Sequence, residues 1–339
     1  MKLEKRIEVM AQLGEHLLAE NDEFLLAILK RTEFNNPWLT VENQQTAIRA
    51  IARQMLDKDR LRDWARQYDH PEPASPKTVG LVLAGNIPVV GFHDMLSVFI
   101  AGHKSQIKLS EKDRFVLPYW MELLKKMNPD TAEYFEIVER LSGFDAVIAT
   151  GSNNSARYFE AYFGKYPHII RRNRNSVAIL DGTETDADLL KLGDDIFQYF
   201  GLGCRNVSKI YVPPTFDADH FLEVLHEFRE LILHTKYKNN FDYNHALFML
   251  NKVPFKNNGC LLLIESADIP SRIATLHYER YDDLAALEAQ LRAQEDLIQC
   301  VVAKKGLLSR PVVEFGQTQS PGLTDYADGV DTMAFLKEL

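Results

Sequence analysis

Cysteine is scarce in this sequence, with three residues among 339. Cys204, Cys260 and Cys300 are far apart along the chain and lack the paired CxxC spacing of zinc sites and redox motifs. We therefore expect reduced thiols, with neither a disulfide framework nor a metal centre.

The chain also lacks an excess of positive charge. Its 39 lysines and arginines stand against 48 aspartates and glutamates, which gives a net charge of −9. Nucleic-acid binding needs a basic surface that neutralises phosphates, so this balance disfavours nucleic acid as a partner. The run RRNR at residues 171–174 remains as a local basic patch.

Long uncharged stretches are missing as well. The longest, residues 78–93, is interrupted by glycines, an asparagine and a proline, and it is too short to cross a bilayer. The N-terminal residues mix charged with apolar side chains, which argues against a secretory signal. The sequence therefore predicts a cytoplasmic protein without stable membrane insertion.

What is present is the composition of a globular protein, 46% hydrophobic and 26% charged, in a chain longer than one average domain. Apolar residues at helical spacing predict packing helices over 3–31 and 41–67, ahead of the proline-rich HPEPASP at 70–76. From residue 77 onward predicted strands and helices alternate, which is typical of parallel sheets covered by helices. We therefore predict an α/β fold, with a Rossmann-like lobe, a second α/β lobe and N-terminal helices.

The predicted elements follow the chain in this order. The strands are TVGLVLA, SQIKLS, DAVIAT, SVAILD, NVSKIYV, CLLLIE, IATLHYERY and IQCVVA. The helices are residues 91–102, two within 114–141, then 153–164, 217–233 and 283–294.

Polar residues follow three predicted strands at their carboxyl ends, where open α/β sheets bind ligands. Asn86 follows the first strand, and Lys108 and Glu111 lie at the end of the second. Gly151 and Ser152 follow the third and precede a predicted helix, whose N-terminus suits a phosphate. Taken singly, these residues are also what turns, helix caps and solvated charged loops contain. Neither GxGxxG nor GxxxxGK[ST] occurs, so a nucleotide would have to be held in another way.

The stretch FGLGCRNVSKIYVP, residues 200–213, places a cysteine between two glycines and an arginine, just ahead of a β-branched and aromatic run. A lone cysteine is usually a small buried residue, but the glycines here allow close approach and expose backbone N–H groups. Cys204 is therefore the candidate nucleophile. Cys260 and Cys300 lie within apolar predicted strands, and we expect both in the core.

The order of these features resembles the aldehyde dehydrogenase superfamily over about residues 78–325. A strand precedes Asn-x-Pro, an IKLSE-like strand end follows, TGS precedes a helix, GxxC precedes a strand, and VVEFGQTQSPG comes last. The segments GNIPVVGFHDM, IKLSEKD, RRNRNSVAILDG and FGLGCRNVSKIYVP resemble the LuxC-type acyl-CoA reductases, the fatty acid reductase component of bacterial bioluminescence.

The resemblance implies reduction of acyl-CoA, or another acyl thioester, to an aldehyde with NADPH, NADH being the alternative cofactor. Cys204 would form the covalent thioester, and the Asn86 amide and the Cys204 backbone N–H would hold the oxyanion. An acyltransferase or acyl-protein synthetase would be the protein partner, and a homo-oligomer is compatible with the sequence.

The resemblance also implies a cofactor site. Gly151 and Ser152 would contact the pyrophosphate, and Lys108 the adenosine ribose. Glu111 at that ribose would repel a 2′-phosphate, which Lys112 or Arg114 would have to offset. Glu265 is a weakly matched candidate for the glutamate that binds the nicotinamide ribose.

Hydrolytic members of the superfamily carry a glutamate general base ahead of a strand. Counting back from SVAILD places Arg171 at that position. A guanidinium cannot accept a proton, so we expect the acyl-enzyme to resist water. The alternative interpretation is a solvated basic loop of Arg171, Arg172 and Arg174, or one that binds phosphates of CoA or the cofactor.

The implied organisation has four segments. They are an N-terminal helical segment packing on the cofactor lobe (1–76), an NAD(P)-binding Rossmann-like domain (77–198), a catalytic domain with the nucleophile (199–310) and a C-terminal segment returning to the cofactor lobe (311–339). Two other functions stay open, an acyl-phosphate reductase of the same superfamily and a non-catalytic scaffold that binds an acyltransferase.

Overall fold

The computed structural model describes residues 1–19, 21–68, 73 and 75–339. The chain divides into two compact units, the first formed by Met1–Asn173 with Ser320–Leu339 and the second by Arg174–Gln319. Each unit has its own hydrophobic core. The predicted boundary after residue 198 falls inside the second unit, because a strand at Asn175–Ile179 pairs within that unit's sheet. The functional roles of the four predicted segments stay predictions.

Helices begin the first unit, and each predicted helical stretch contains two of them. Asp22 caps the second helix by accepting a hydrogen bond from Leu25 N–H at 2.9 Å, so a new helix begins inside the first stretch. Asp57 caps the fourth in the same way. Of the predicted helix stop in HPEPASP, residues 70–72 and 74 lie outside the described residues. The helices are α1 (Leu3–Leu18), α2 (Glu23–Asn35), α3 (Val41–Met55) and α4 (Lys58–Arg66).

The sheet of the first unit is parallel throughout its described strands, in the order β3-β2-β1-β4-β5. The chain proceeds from β1 to one side and later returns to the other side at β4. Open α/β sheets bind ligands at the carboxyl ends of the strands beside such a reversal. The strands are β1 (Thr78–Val82), β2 (Lys104–Lys108), β3 (Phe135–Ile137), β4 (Ala146–Thr150) and β5 (His168–Arg171), and the helices are α5 (Phe92–Ile100), α6 (Val116–Met127), α7 (Asn153–Phe163) and the C-terminal α12 (Thr332–Lys337).

The sheet of the second unit has the order β11-β6-β7-β10-β9-β8, and its described pairs are parallel except β8 with β9. The inner strand β7 is buried at every position, as expected for a parallel strand covered on both faces. The strands are β6 (Asn175–Ile179), β7 (Val207–Val212), β8 (Lys256–Asn257), β9 (Leu262–Glu265), β10 (Thr275–Arg280) and β11 (Ile298–Val302), and the helices are α8 (Asp186–Phe197), α9 (Ala218–Val224), α10 (Thr235–Leu250) and α11 (Leu284–Ala293).

The predicted α/β fold with parallel sheets and N-terminal helices is confirmed. The second helix predicted within 114–141 is wrong, because that stretch ends in a 3-10 turn and β3. The helix predicted over 217–233 becomes 3-10 from Leu225 onward. None of the described helices is long and apolar enough to cross a bilayer.

Candidate active site

The structure brings five of the predicted site residues to one edge of the first unit's sheet. Val82 at the end of β1 is paired with Lys108 at the end of β2 and with Ala149 near the end of β4. The carboxyl ends of these strands therefore share one edge. Asn86 and Glu111 follow β1 and β2 there, and Gly151 and Ser152 follow β4. The ligand roles of these residues stay predictions.

The loop that carries Asn86 is closely packed. A Cβ added to Gly85 would lie 2.5 Å from Ser110 Oγ, so only glycine fits against the loop after β2. Val89 has a φ of 54°, which is strained for a β-branched residue. Burial raises the pKa of Asp113, although its carboxylate accepts a hydrogen bond from Val89 N–H at 2.7 Å. Asn86 is exposed on this fixed loop.

The end of β4 leads directly into the N-terminus of α7. Ser152 caps the helix, since its Oγ accepts from Ser155 N–H at 3.2 Å. A Cβ on Gly151 would lie 2.8 Å from both Ser155 Cβ and the Phe159 ring, so a glycine is needed at this approach. The N-terminus of α7 is exposed after this glycine, and free N–H groups at such a terminus can bind an anion.

The loop after β2 is tied to the end of α2. Asn35 Nδ2 donates to Glu111 O at 3.2 Å, while Glu111 itself is exposed. Two guanidinium groups, of Arg31 and Arg114, lie 4.3 and 5.2 Å from the Phe115 ring centroid. Arg114, one of the two cations that would have to offset Glu111, therefore lies over an aromatic ring, a contact that a planar guanidinium favours.

Arg171 ends β5 and is 5% exposed. Its guanidinium forms an ion pair with Asp94 of α5 and donates to Thr332 Oγ1 at 3.0 Å. Arg172 is exposed and pairs with Glu160. The interpretation of the arginine run as one solvated loop is therefore wrong for Arg171, which is a buried side chain of the first unit.

Cys204 lies in the second unit, in the segment between α8 and β7. The three residues Tyr199, Phe200 and Gly201 ahead of it have left-handed backbones, with φ of 54°, 59° and 73°. Such a conformation costs roughly 1–3 kcal/mol for each non-glycine residue. Both aromatic side chains are buried, at 5% and 6% exposure, and this burial offsets the strain. Strain of this kind often marks functional segments.

Asn206 closes the turn that contains Cys204 with hydrogen bonds from both its backbone and its side chain. Asn206 N–H donates to Gly203 O at 3.1 Å, and Asn206 Oδ1 accepts from Gly203 N–H at 2.8 Å. Its Nδ2 donates to Asp195 O at 3.0 Å and to Gln198 O at 2.9 Å. Asn206 is 2% exposed, whereas Cys204 is half-buried. A buried amide therefore fixes a turn that leaves the cysteine accessible.

A second buried group, Asp195 of α8, holds the segment that follows Phe315 beside this turn. Its carboxylate accepts from Gly316 N–H at 2.7 Å and from Thr318 N–H and Oγ1 at 3.0 and 2.8 Å. The pKa of Asp195 is raised overall, because the effect of burial exceeds that of the hydrogen bonds, which lower it. Arg205 Nε donates to Thr318 O at 2.6 Å. Neither Asn206 nor Asp195 was predicted as a site residue. The one signal in the sequence is an asparagine shortly after a glycine, which is typical of turns closed by a side chain.

The other two cysteines differ from each other. Cys260 is fully buried, which confirms that prediction, and burial raises the pKa of its thiol to about 11. Cys300 is half-buried, so its prediction as a core residue is wrong. The pairing of β11 with β6 is irregular between Ile298 and Val301, and this bulge leaves Cys300 outside the close-packed core.

Two further features bear on the site. Glu265 ends β9 in an exposed position and accepts hydrogen bonds from Tyr278 Oη at 3.2 Å and from Arg280 Nη1 at 3.3 Å.

In the part of the chain that the structure describes, no group of three or more histidine, cysteine or acidic side chains is placed to hold a metal ion.

Neither a family profile nor a curated protein sequence matches the chain. Solved structures of aldehyde dehydrogenases do resemble it. Aldehyde dehydrogenase 21 from Physcomitrella patens, in complex with the reaction product succinate, has a TM-score of 0.70 at 12% identity over 100% of this chain and 84% of that chain. An aldehyde dehydrogenase from Brucella melitensis has a TM-score of 0.69 at 14% identity over 93% and 80%. A putative aldehyde dehydrogenase from Burkholderia cenocepacia has a TM-score of 0.67 at 15% identity over 89% and 74%. At these identities the similarity establishes the fold, and this chain therefore has the fold of the aldehyde dehydrogenases.

Proposed function

We propose that this protein is a nicotinamide-dependent oxidoreductase that reduces a fatty acyl thioester, above all acyl-CoA, to an aldehyde through an acyl group on Cys204. The observation that carries the proposal is the turn fixed by Asn206, which leaves a half-buried cysteine accessible in a chain with the aldehyde dehydrogenase fold. Structural relatives include a protein named NADP-dependent from E. coli and one named NAD-dependent from Sinorhizobium meliloti, which supports a nicotinamide cofactor.

In the first half-reaction the Cys204 thiolate attacks the thioester carbonyl. A carbon–sulfur bond to Cys204 forms, the bond to CoA breaks, and CoA leaves as a thiolate. Negative charge develops on the carbonyl oxygen, so two aligned donors lower the barrier. We assign these donors to the Cys204 backbone N–H and the Asn86 side-chain amide. Asn206 fixes the turn and so limits the positions that the Cys204 backbone can adopt.

We propose that the residues at the carboxyl edge of the first sheet bind the dinucleotide. The N-terminus of α7, with Gly151 and Ser152, would hold the pyrophosphate, and Lys108 would hold the adenosine ribose. When bound, the cofactor supplies the hydride that reduces the thioester. Cys204 then leaves as a thiolate when the hemithioacetal releases the aldehyde. We propose NADPH as the cofactor, although the Glu111 carboxylate at the adenosine ribose would repel its 2′-phosphate.

Arg171 supports a reductase over a hydrolytic dehydrogenase. The resemblance aligns it with the glutamate base of the hydrolytic enzymes, and its guanidinium is held by Asp94 and Thr332. Because a guanidinium cannot accept a proton from water, we expect the acyl-enzyme to persist until hydride or a thiol attacks it. Aldehyde oxidation with NADP⁺ should then give free acid slowly and acyl-CoA faster when CoA is added.

Single-turnover acylation tests whether the substrate is an acyl-CoA or an acyl phosphate, which differ in their leaving group. Protein is mixed with a long-chain acyl-CoA or with an acyl phosphate, and the acylated fraction is followed over time. We expect acylation by acyl-CoA. Acylation by the phosphate alone would instead indicate an acyl-phosphate reductase, and no acylation by either donor would indicate a scaffold. An acyltransferase or acyl-protein synthetase is the class of protein partner that we propose to work beside this chain, by providing activated acyl groups.

A further inference from the structure

The hydroxyl group of Ser176 contacts two of the three cysteines, which all lie in the second unit. Ser176 Oγ lies 3.1 Å from Cys204 O and 2.9 Å from Cys300 Sγ. These contacts limit the separation between Cys204 O and Cys300 Sγ to about 6 Å. Ser176 lies on β6, with β11 and its bulge on one side and the Cys204 turn leading into β7 on the other. Two cysteines 96 positions apart in sequence are therefore neighbours.

The hydrogen bonds fix the direction of the contact. Ser176 Oγ donates to Cys204 O, and a hydroxyl has a single proton. Its contact with Cys300 is then made by the Cys300 S–H donating to Ser176 Oγ. The thiol of Cys300 is thus directed toward the hydroxyl that also holds the Cys204 backbone.

Accessibility separates this pair from the third cysteine. Cys204 and Cys300 are both half-buried, whereas Cys260 is fully buried and its thiol pKa is raised to about 11. Oxidation of cysteine requires thiolate character and access to the oxidant. The structure therefore separates two half-buried cysteines, which both contact Ser176 Oγ, from one fully buried cysteine whose thiolate is disfavoured.

We propose that Cys300 is a resolving cysteine that forms a reversible disulfide with Cys204 when Cys204 is oxidised by a peroxide. Rotation of the two cysteine side chains, together with a transient opening of the turn against its Asn206 hydrogen bonds, would bring the two sulfur atoms together. The bond would block acylation and would protect Cys204 from irreversible oxidation. This inference uses Cys204 as the reactive thiol, as the proposed function does, but it requires neither acyl-CoA nor NADPH.

The chemistry proceeds in two displacements. The Cys204 thiolate attacks one oxygen of hydrogen peroxide, so that an S–O bond forms, the O–O bond breaks and hydroxide leaves. Cys204 is oxidised by two electrons and the peroxide is reduced. The sulfur of Cys300 then attacks the Cys204 sulfur, forming the S–S bond and displacing hydroxide. The Cys300 proton and one solvent proton convert the two hydroxides to water.

The test is peptide mapping of the whole chain after treatment with hydrogen peroxide, without reductant, acyl-CoA or cofactor. We expect a cross-linked pair of peptides that contain Cys204 and Cys300, a loss of two hydrogen atoms in intact mass, and full reversal by dithiothreitol. The Cys300→Ser variant should instead gain two oxygen atoms on Cys204, and dithiothreitol should not remove them.

Cys260→Ser is the matched control, and it should form the same cross-link as the unaltered chain. The proposal is overturned if no cross-link forms, or if the dioxidised Cys204 accumulates as fast in the unaltered chain as in Cys300→Ser. Since the mapping is done on the unaltered chain, misfolding of a variant cannot produce the negative result. A cross-link in a protein that acyl-CoA fails to acylate would uphold this inference and reject the proposed function.

Discussion

Replacement of Asn206 by alanine should loosen the turn that contains Cys204. The variant removes one hydrogen bond to Gly203 N–H and those to Asp195 O and Gln198 O, at 2.8, 3.0 and 2.9 Å. A net contribution of about 1 kcal/mol for each bond gives a loss of about 3 kcal/mol. Since about 1.4 kcal/mol corresponds to a factor of ten, amides of the turn should open roughly a hundredfold more often.

Hydrogen exchange measured by mass spectrometry on peptides spanning residues 200–213 reports this opening directly. The control is Asn251→Ala, which removes a single hydrogen bond of an exposed side chain to Leu247 O and should leave those peptides unchanged. Acylation of Cys204 should also slow in Asn206→Ala. Exchange that accelerates by less than about tenfold would show that Asn206 does not fix the turn.

Three other predictions concern the first unit. Arg171→Met leaves the buried Asp94 carboxylate without its guanidinium and should lower the free energy of unfolding by about 3–5 kcal/mol. Arg172→Met removes an exposed ion pair and should lower it by about 1 kcal/mol or less. Tryptophan fluorescence in a urea titration measures both losses, and equal losses would contradict the assignment of Arg171 to a buried pair. Glu111→Gln should raise kcat/KM for NADPH relative to NADH, because it removes a negative charge from the assigned ribose position; an unchanged ratio would place Glu111 away from the 2′-phosphate. Asn86→Ala should leave thermal unfolding unchanged and slow acylation by roughly a hundredfold or more, and an unchanged acylation rate would leave Asn86 as a turn residue.

The sequence predicts most of the sheet correctly where a strand is a compact apolar run. TVGLVLA forms β1 because burial on both faces selects continuous apolar residues. NVSKIYV forms β7 on the strength of its β-branched and aromatic residues, although Ser208 and Lys209 are buried with them. It does not predict β3 or β5, which are three and four residues long. Helix α10 was also missed, because its apolar residues are spread around the helix and its buried positions include Asn244.

The candidate site is predictable in part for the same reason. Strand ends are visible in the sequence, so Asn86, Lys108 and Gly151 could be assigned to one edge of a parallel sheet. The hydrogen bonds of Asn206 to the end of α8 require the folded backbone and leave no pattern in the sequence. The exposure of Cys300 likewise depends on a bulge in strand pairing, which no local pattern of apolar residues reveals.

Intact mass after incubation with a long-chain acyl-CoA tests the central claim most directly. We predict a mass increase equal to one acyl group, its absence in Cys204→Ala, its retention in Cys260→Ser, and its discharge when NADPH is added. An adduct that survives Cys204→Ala, or an unaltered chain that acyl-CoA never acylates, would contradict acyl transfer to Cys204.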